Sequence, residues 1–167
     1  MNSLLIGSTG FIGTALRQKL IAAGPCSWTT RNGLEKDAFM FDLTGLIKLP
    51  PAEVIYLVAG KGSFRSSELD PDAYLVNVDG PIRVAAHFKN SFIVFLSSEA
   101  AEWSQSPLGM QKRSAELGLL AVCGYERLAI VRPAKITDKT VGALCDDLVN
   151  IGEYKLYGVH RPRYGSA

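Results

Sequence analysis

The chain has 167 residues, 47% hydrophobic and 20% charged, enough for one domain with its own core and too short for two full ones. Lys plus Arg number 18 against 16 Asp plus Glu, a net charge of +2 that speaks against a nucleic-acid partner, which would demand a basic stripe. No apolar run reaches the ~18 residues of a membrane span, so no membrane partner is expected.

In chain order, Ser3–Ile6 predicts a short strand ending in glycines. Phe11–Ala23 predicts a helix with Ile12, Leu16, Leu20 and Ala23 on one face, stopped by Gly24-Pro25. Cys26–Thr30 reads as a second strand and 38–41 as a third. The run 54–59, Val-Ile-Tyr-Leu-Val-Ala, is continuously apolar, as in a parallel-sheet strand covered on both faces. Residues 72–89 carry Leu75, Val78, Ile82, Ala85 and Ala86 at helical spacing, and Pro81 kinks or restarts that helix. Phe92–Leu96 predicts another buried strand. Residues 107–122 predict a helix with Leu108, Lys112, Ala115, Leu119 and Val122 on one stripe. Leu128–Val131 predicts a sixth strand, closed by Arg132-Pro133. The remainder reads as a helix, one further strand at most, and a basic tail. Strands alternating with helices predict right-handed βαβ units and a three-layer doubly wound parallel sheet of six or seven strands, a Rossmann fold in a single domain.

The opening, Met1 to Gly7, lacks the basic start and long apolar stretch of a secretory signal. Cys26, Cys123 and Cys145 cannot all pair, and none sits at metal-site spacing. The expectation is a reduced, cytoplasmic protein without a metal.

Between the first strand and first helix stands Gly7-Ser8-Thr9-Gly10-Phe11-Ile12-Gly13. In that context three glycines read as a dinucleotide loop: Gly7 for the tight turn, Gly10 for close approach of a pyrophosphate, Gly13 for packing helix on strand. The amides at the helix start favour an anion. The second strand ends in Thr30-Arg31-Asn32, with no acid to hold a ribose 2′-hydroxyl. Arg31 suits a 2′-phosphate, so NADP is favoured over NAD. The other reading of Arg31 is a solvated loop arginine.

Further landmarks follow in order. They are Phe41-Asp42-Leu43, Leu57-Val58-Ala59-Gly60, Asn77-Val78-Asp79-Gly80, Phe95-Leu96-Ser97-Ser98 and Arg132-Pro133. With the glycine loop they resemble the short-chain dehydrogenase/reductase superfamily, specifically its extended branch of nucleotide-sugar epimerases, dehydratases and reductases, over about residues 3–136. The resemblance implies that Asp42 and Leu43 contact the adenine. It places Val58, Ala59 and Gly60 under the cofactor, with Asn77 and Ser97 beside it. It aligns Ser98 with the active serine and sets Pro133 near the nicotinamide. Read without it, Asp42 caps a turn, Asn77 is a buried amide bonded to backbone, and Ser97 and Ser98 cap the next segment.

Such proteins carry a tyrosine four residues before a lysine. Lys112 matches the lysine, with Gly109, Ala115 and Glu116 around it, but Leu108 stands in the tyrosine's place. Leucine has no proton to give, and general acid–base catalysis is typically worth about 10²–10⁴-fold. Glu99 and Glu102 are the candidate replacement acids if burial raises their pKa, whereas Tyr125 lies beyond the helix. The expected catalytic set is Ser98, Lys112 and Glu99. Lys61 and Arg65 follow the fourth strand, and His160, Arg161 and Arg163 form the basic end. The domain reading is a nucleotide-binding unit over 1–137, followed by a helix and tail over 138–167 left from a substrate lobe. The functional expectation is an NADP-dependent oxidoreductase or epimerase-like enzyme with altered acid–base chemistry, acting on a small molecule. The alternatives are a silent cofactor sensor or accessory subunit that contacts a partner or second copy, and a structural domain that binds nothing.

Overall fold

The computed structural model describes residues 1–61 and 70–165; Arg65 lies outside them. Seven strands form one all-parallel sheet. They are β1 (Ser3–Ile6), β2 (Cys26–Thr30), β3 (Phe39–Met40), β4 (Val54–Leu57), β5 (Phe92–Leu96), β6 (Leu128–Val131) and β7 (Gly158–His160), in the order β3-β2-β1-β4-β5-β6-β7. Chain direction across the sheet reverses between β1 and β4, which opens a crevice at the carboxyl ends of those strands. The helices are α1 (Phe11–Ala23), α2 (Gly80–His87), α3 (Ala100–Trp103), α4 (Pro107–Cys123) and α5 (Val141–Glu153).

Strand alternation sorts the core into two layers. Leu4, Ile6, Ile55, Leu57, Ile93, Phe95 and Ile130 face α2 and α4. Leu5, Val54, Tyr56, Val94, Leu96, Ala129 and Val131 face the other way, onto α1 and α5. Both sets are buried, which is why these strands read as continuous apolar runs and not as alternating ones. Each large aliphatic side chain so enclosed contributes about 1.5–3 kcal/mol.

Three expectations need adjustment. The third strand shrinks to Phe39–Met40, both exposed at the sheet edge. In the helix around Pro81 a π turn over Leu75–Asp79 precedes α2, and Gly80 N donates to the Leu75 carbonyl. Proline lacks a donor and crowds the preceding turn, and the wider turn accommodates it. The extra residue shifts the phase, so Leu75 and Ala86 are exposed while Asn77, Val78, Val84 and Ala85 are buried. At helix ends the stripe also drifts: Ala23 is exposed, and Cys123 is buried in place of Val122.

The segment after residue 138 joins the same three layers. α5 packs against α1, and β7 pairs in parallel with β6. Among the described residues no helix is long and apolar enough to cross a membrane, and no cluster of His, Cys, Asp or Glu could hold a metal.

Candidate functional site

The glycine loop is built by contact, not by propensity. Gly7 has φ +101°, and a β-carbon on it would lie 2.5 Å from Ala59 N. A β-carbon on Gly13 would lie 1.8 Å from the Gly7 carbonyl oxygen. The turn, the start of α1 and the strand end at Ala59 therefore touch backbone to backbone. Ser8 is fully buried, and its hydroxyl donates to the Thr29 carbonyl (2.8 Å), which fastens the loop to β2. Ile12 is partly buried among the α1 and α5 side chains, whereas Phe11 is exposed. Ser8, Ile12 and Gly13 thus shape the loop from behind.

Gly10 differs. A side chain there would meet nothing nearer than the Gly7 carbonyl at 3.8 Å. Gly10 is also the N-cap of α1, and no side chain caps that end. Amides at a helix start attract an anion, and here they border open space. The space is a cleft of about 280 Å³ over the β1–β4 reversal. Its walls include Gly7, Thr9 and Gly10 from the loop, Thr29 and Arg31 from β2 and its end, Asp42 and Leu43, and Val58, Ala59, Gly60 and Lys61. Thr9, Arg31, Asn32 and Asp42 continue it outward.

Several of these residues carry a second duty. Asp42 Oδ1 accepts from Thr44 N (2.8 Å) and Thr44 Oγ1 (2.6 Å), so it does cap its turn. Those bonds, with Arg31 and Lys61 adding to them, hold its pKa below the usual carboxylate value. Arg31 is exposed and makes no hydrogen bond or ion pair among the described residues. Asn77 is buried behind the cleft: its Oδ1 accepts from Lys61 N (2.8 Å), and its Nδ2 donates to Lys61 O (3.0 Å) and Gln111 Oε1 (2.8 Å). It stitches the turn after β4 to α4, the buried-amide reading.

A second group gathers at the ends of β5 and β6. Lys112 Nζ donates to the Leu96 carbonyl (2.9 Å), lies over the Phe95 ring, and stands 3.7 Å from where a Gly60 β-carbon would be. Burial pulls its pKa down to about 8, while Glu116 opposes that shift. The Ser97 hydroxyl donates to Glu116 Oε1 (2.5 Å). Ser98 Oγ accepts from Ala100 N (3.2 Å), closing the turn that leads into α3, whose N-cap is Glu99. Glu99 N donates to the Pro133 carbonyl (3.1 Å), and Pro133 is buried. None of Ser97, Ser98, Glu99, Lys112 and Pro133 lines the cleft itself; of these, Lys112 lies beside Gly60, one of its wall residues.

One candidate acid changes status, and the position of the absent tyrosine is closed. Glu102 is exposed, and Arg161 grips it through Nε (2.9 Å) and Nη2 (3.3 Å), which lowers its pKa instead of raising it. That corrects its reading as a stand-in acid and also accounts for Arg161. Leu108 is 8% exposed, so the position where the resemblance implies a tyrosine is filled and closed. Tyr125 is exposed at the far end of α4. Sequence reasoning missed Thr29 and Gln111 as site-builders. Strand alternation could have placed Thr29 on the cleft side with Arg31, but nothing local marks Gln111.

Fold and cleft together define the doubly wound dinucleotide-type architecture. No protein-family model and no curated protein matches the sequence. Among solved structures, the chain is similar to a dTDP-4-dehydrorhamnose reductase from Bacillus anthracis in complex with NADP (16% identity, TM-score 0.80, 99% of this chain and 76% of that one). It is similar to a serine dehydrogenase from Escherichia coli (15%, TM-score 0.72, 98% and 97%). It is also similar to a short-chain dehydrogenase/reductase superfamily protein from Agrobacterium tumefaciens with bound NAD (17%, TM-score 0.66, 84% and 51%). At these identities the likeness is one of fold, and it is the fold that the motif series implies.

Proposed function

We propose that this chain binds NADP(H) through the cleft over Gly7–Gly13. Support comes chiefly from Gly10, where the missing side chain leaves open space in front of an uncapped helix start. A pyrophosphate fits that cradle by the chemistry of its amides. Arg31 supplies a cation at the outer end for a 2′-phosphate. Asp42 and Leu43 flank the adenine, Val58, Ala59 and Gly60 form the floor, and Lys112 holds the ribose of the pyridine half. When bound, the cofactor supplies hydride chemistry.

As an enzyme, the chain is an oxidoreductase related in pattern to nucleotide-sugar reductases and epimerases, with Ser98, Glu99 and Lys112 nearest the reacting end. Buried Leu108 favours a second reading, a cofactor sensor or accessory subunit without turnover, working with a second copy or a partner. Titrating NADPH and NADH against the fluorescence of Trp28 and Trp103 tests the first statement. Micromolar NADPH binding, tighter than NADH, is the expected result; no change at millimolar NADPH overturns it. Oxidation of NADPH across carbonyl and nucleotide-sugar panels separates enzyme from sensor.

A further inference from the structure

Glu116 sits inside the protein, 4% exposed, and is a residue that the proposed binding does not itself use. Its Oε1 accepts from Ser97 Oγ (2.5 Å) and Arg132 Nε (2.9 Å), and its Oε2 from Arg132 Nη2 (2.5 Å). Arg132 also faces Glu102 (3.5 Å), which Arg161 holds from the far side. Ser97 immediately precedes Ser98, and Arg132 immediately precedes Pro133. The two turns are bonded to each other directly, through Glu99 N and the Pro133 carbonyl. One helical turn before Glu116, Lys112 takes the carbonyl of Leu96. Leu96, Ser97 and Glu99 are therefore each tied to α4 or to the end of β6.

A buried ion pair is a poor source of net stability, because desolvation consumes most of the Coulombic gain. Apolar side chains of similar volume would hold these elements together as well. What a two-pronged guanidinium–carboxylate contact adds is direction. We propose that Glu116 is a positioning residue: through Ser97 and Arg132 it fixes the turns after β5 and β6 that form the pyridine end of the cofactor site. The proposal rests on the NADP(H) reading above. It predicts that loss of Glu116 harms one half of the ligand and spares the other.

The test measures binding of NADPH and of adenosine 2′,5′-bisphosphate to the full chain by calorimetry. Wild type should bind both; if it binds neither, the cofactor reading fails, and this proposal with it. Given wild-type binding, Glu116→Gln should weaken NADPH about tenfold while the bisphosphate stays within about twofold. Arg132→Lys, which keeps the charge and loses the fork, should show the same selective loss. A merely structural role would weaken both ligands alike, and that result, or unchanged NADPH affinity, overturns the proposal. Ser97→Ala leaves the ion pair intact and decides the matter if Glu116→Gln does not fold. A smaller but still NADPH-selective loss is expected there, and unchanged affinity sinks the idea.

Discussion

The ammonium of Lys112 donates to the Leu96 carbonyl at 2.9 Å, joining the middle of α4 to the last residue of β5. Burial is the main influence on this group and lowers its pKa from 10.5 to about 8. Between those values the unfolded chain keeps a proton that the folded chain has released, so Lys112's contribution to stability rises with pH across that window. Below pH 8 the enclosed ammonium is a cost. Lys112→Met should therefore be more stable than wild type at pH 7 by urea denaturation, and the difference should shrink towards pH 10.5. NADPH affinity should fall above about pH 8 in wild type and be flat with pH in the variant. A flat wild-type profile would remove Lys112 from the site.

Gly10 and Gly13 should separate binding from folding. A β-carbon at Gly10 makes only ordinary contact with the Gly7 carbonyl, so Gly10→Leu should cost about 1 kcal/mol, the loss of a favourable N-cap, and abolish NADPH binding. Gly13→Ala puts a methyl into the Gly7 carbonyl and should cost several times as much or prevent folding. Thermal melts with parallel calorimetry read both; retained NADPH binding in Gly10→Leu would contradict the cradle.

Restoring the tyrosine should not restore an open catalytic slot. Leu108 is buried, so Leu108→Tyr overfills its surroundings and should cost about 1–3 kcal/mol. An unchanged melting temperature would show that the position yields easily.

Tyr56 offers a test of the core. Its hydroxyl is buried with no hydrogen-bond partner among the described residues, against Gly152, where a β-carbon would lie 1.9 Å from the oxygen. Removing an orphaned hydroxyl relieves a penalty, so Tyr56→Phe should stabilise the chain by about 1 kcal/mol. Gly152→Ala should be strongly destabilising. Urea denaturation of both variants checks the pair.

The central strands were legible because both faces of Val54–Leu57 and Phe92–Leu96 are enclosed, leaving unbroken apolar runs. The loop was legible because Gly7, Gly10 and Gly13 fall between a strand and a helix. Edge elements were legible only in outline: β3, read over 38–41, spans two residues, and β7, foreseen only as one further strand at most, spans three, each held by one neighbour and with almost no periodic signal. The far end of the site was the least readable. Glu116 meets Ser97 and Arg132, and Glu102 meets Arg161 59 residues away, only because the sheet brings them together. Leu108 looked like a vacancy in a motif, and only its burial in the folded chain reveals the position as filled.

The backbone contact between Gly13 and Gly7 also bears on timing. A loop wedged this tightly between α1 and the end of β4 has no slack to reorganise, so it holds the same shape before and after any diphosphate arrives. Association should then proceed in a single concentration-dependent phase with little ordering penalty. The slow adjustments of this protein should arise elsewhere.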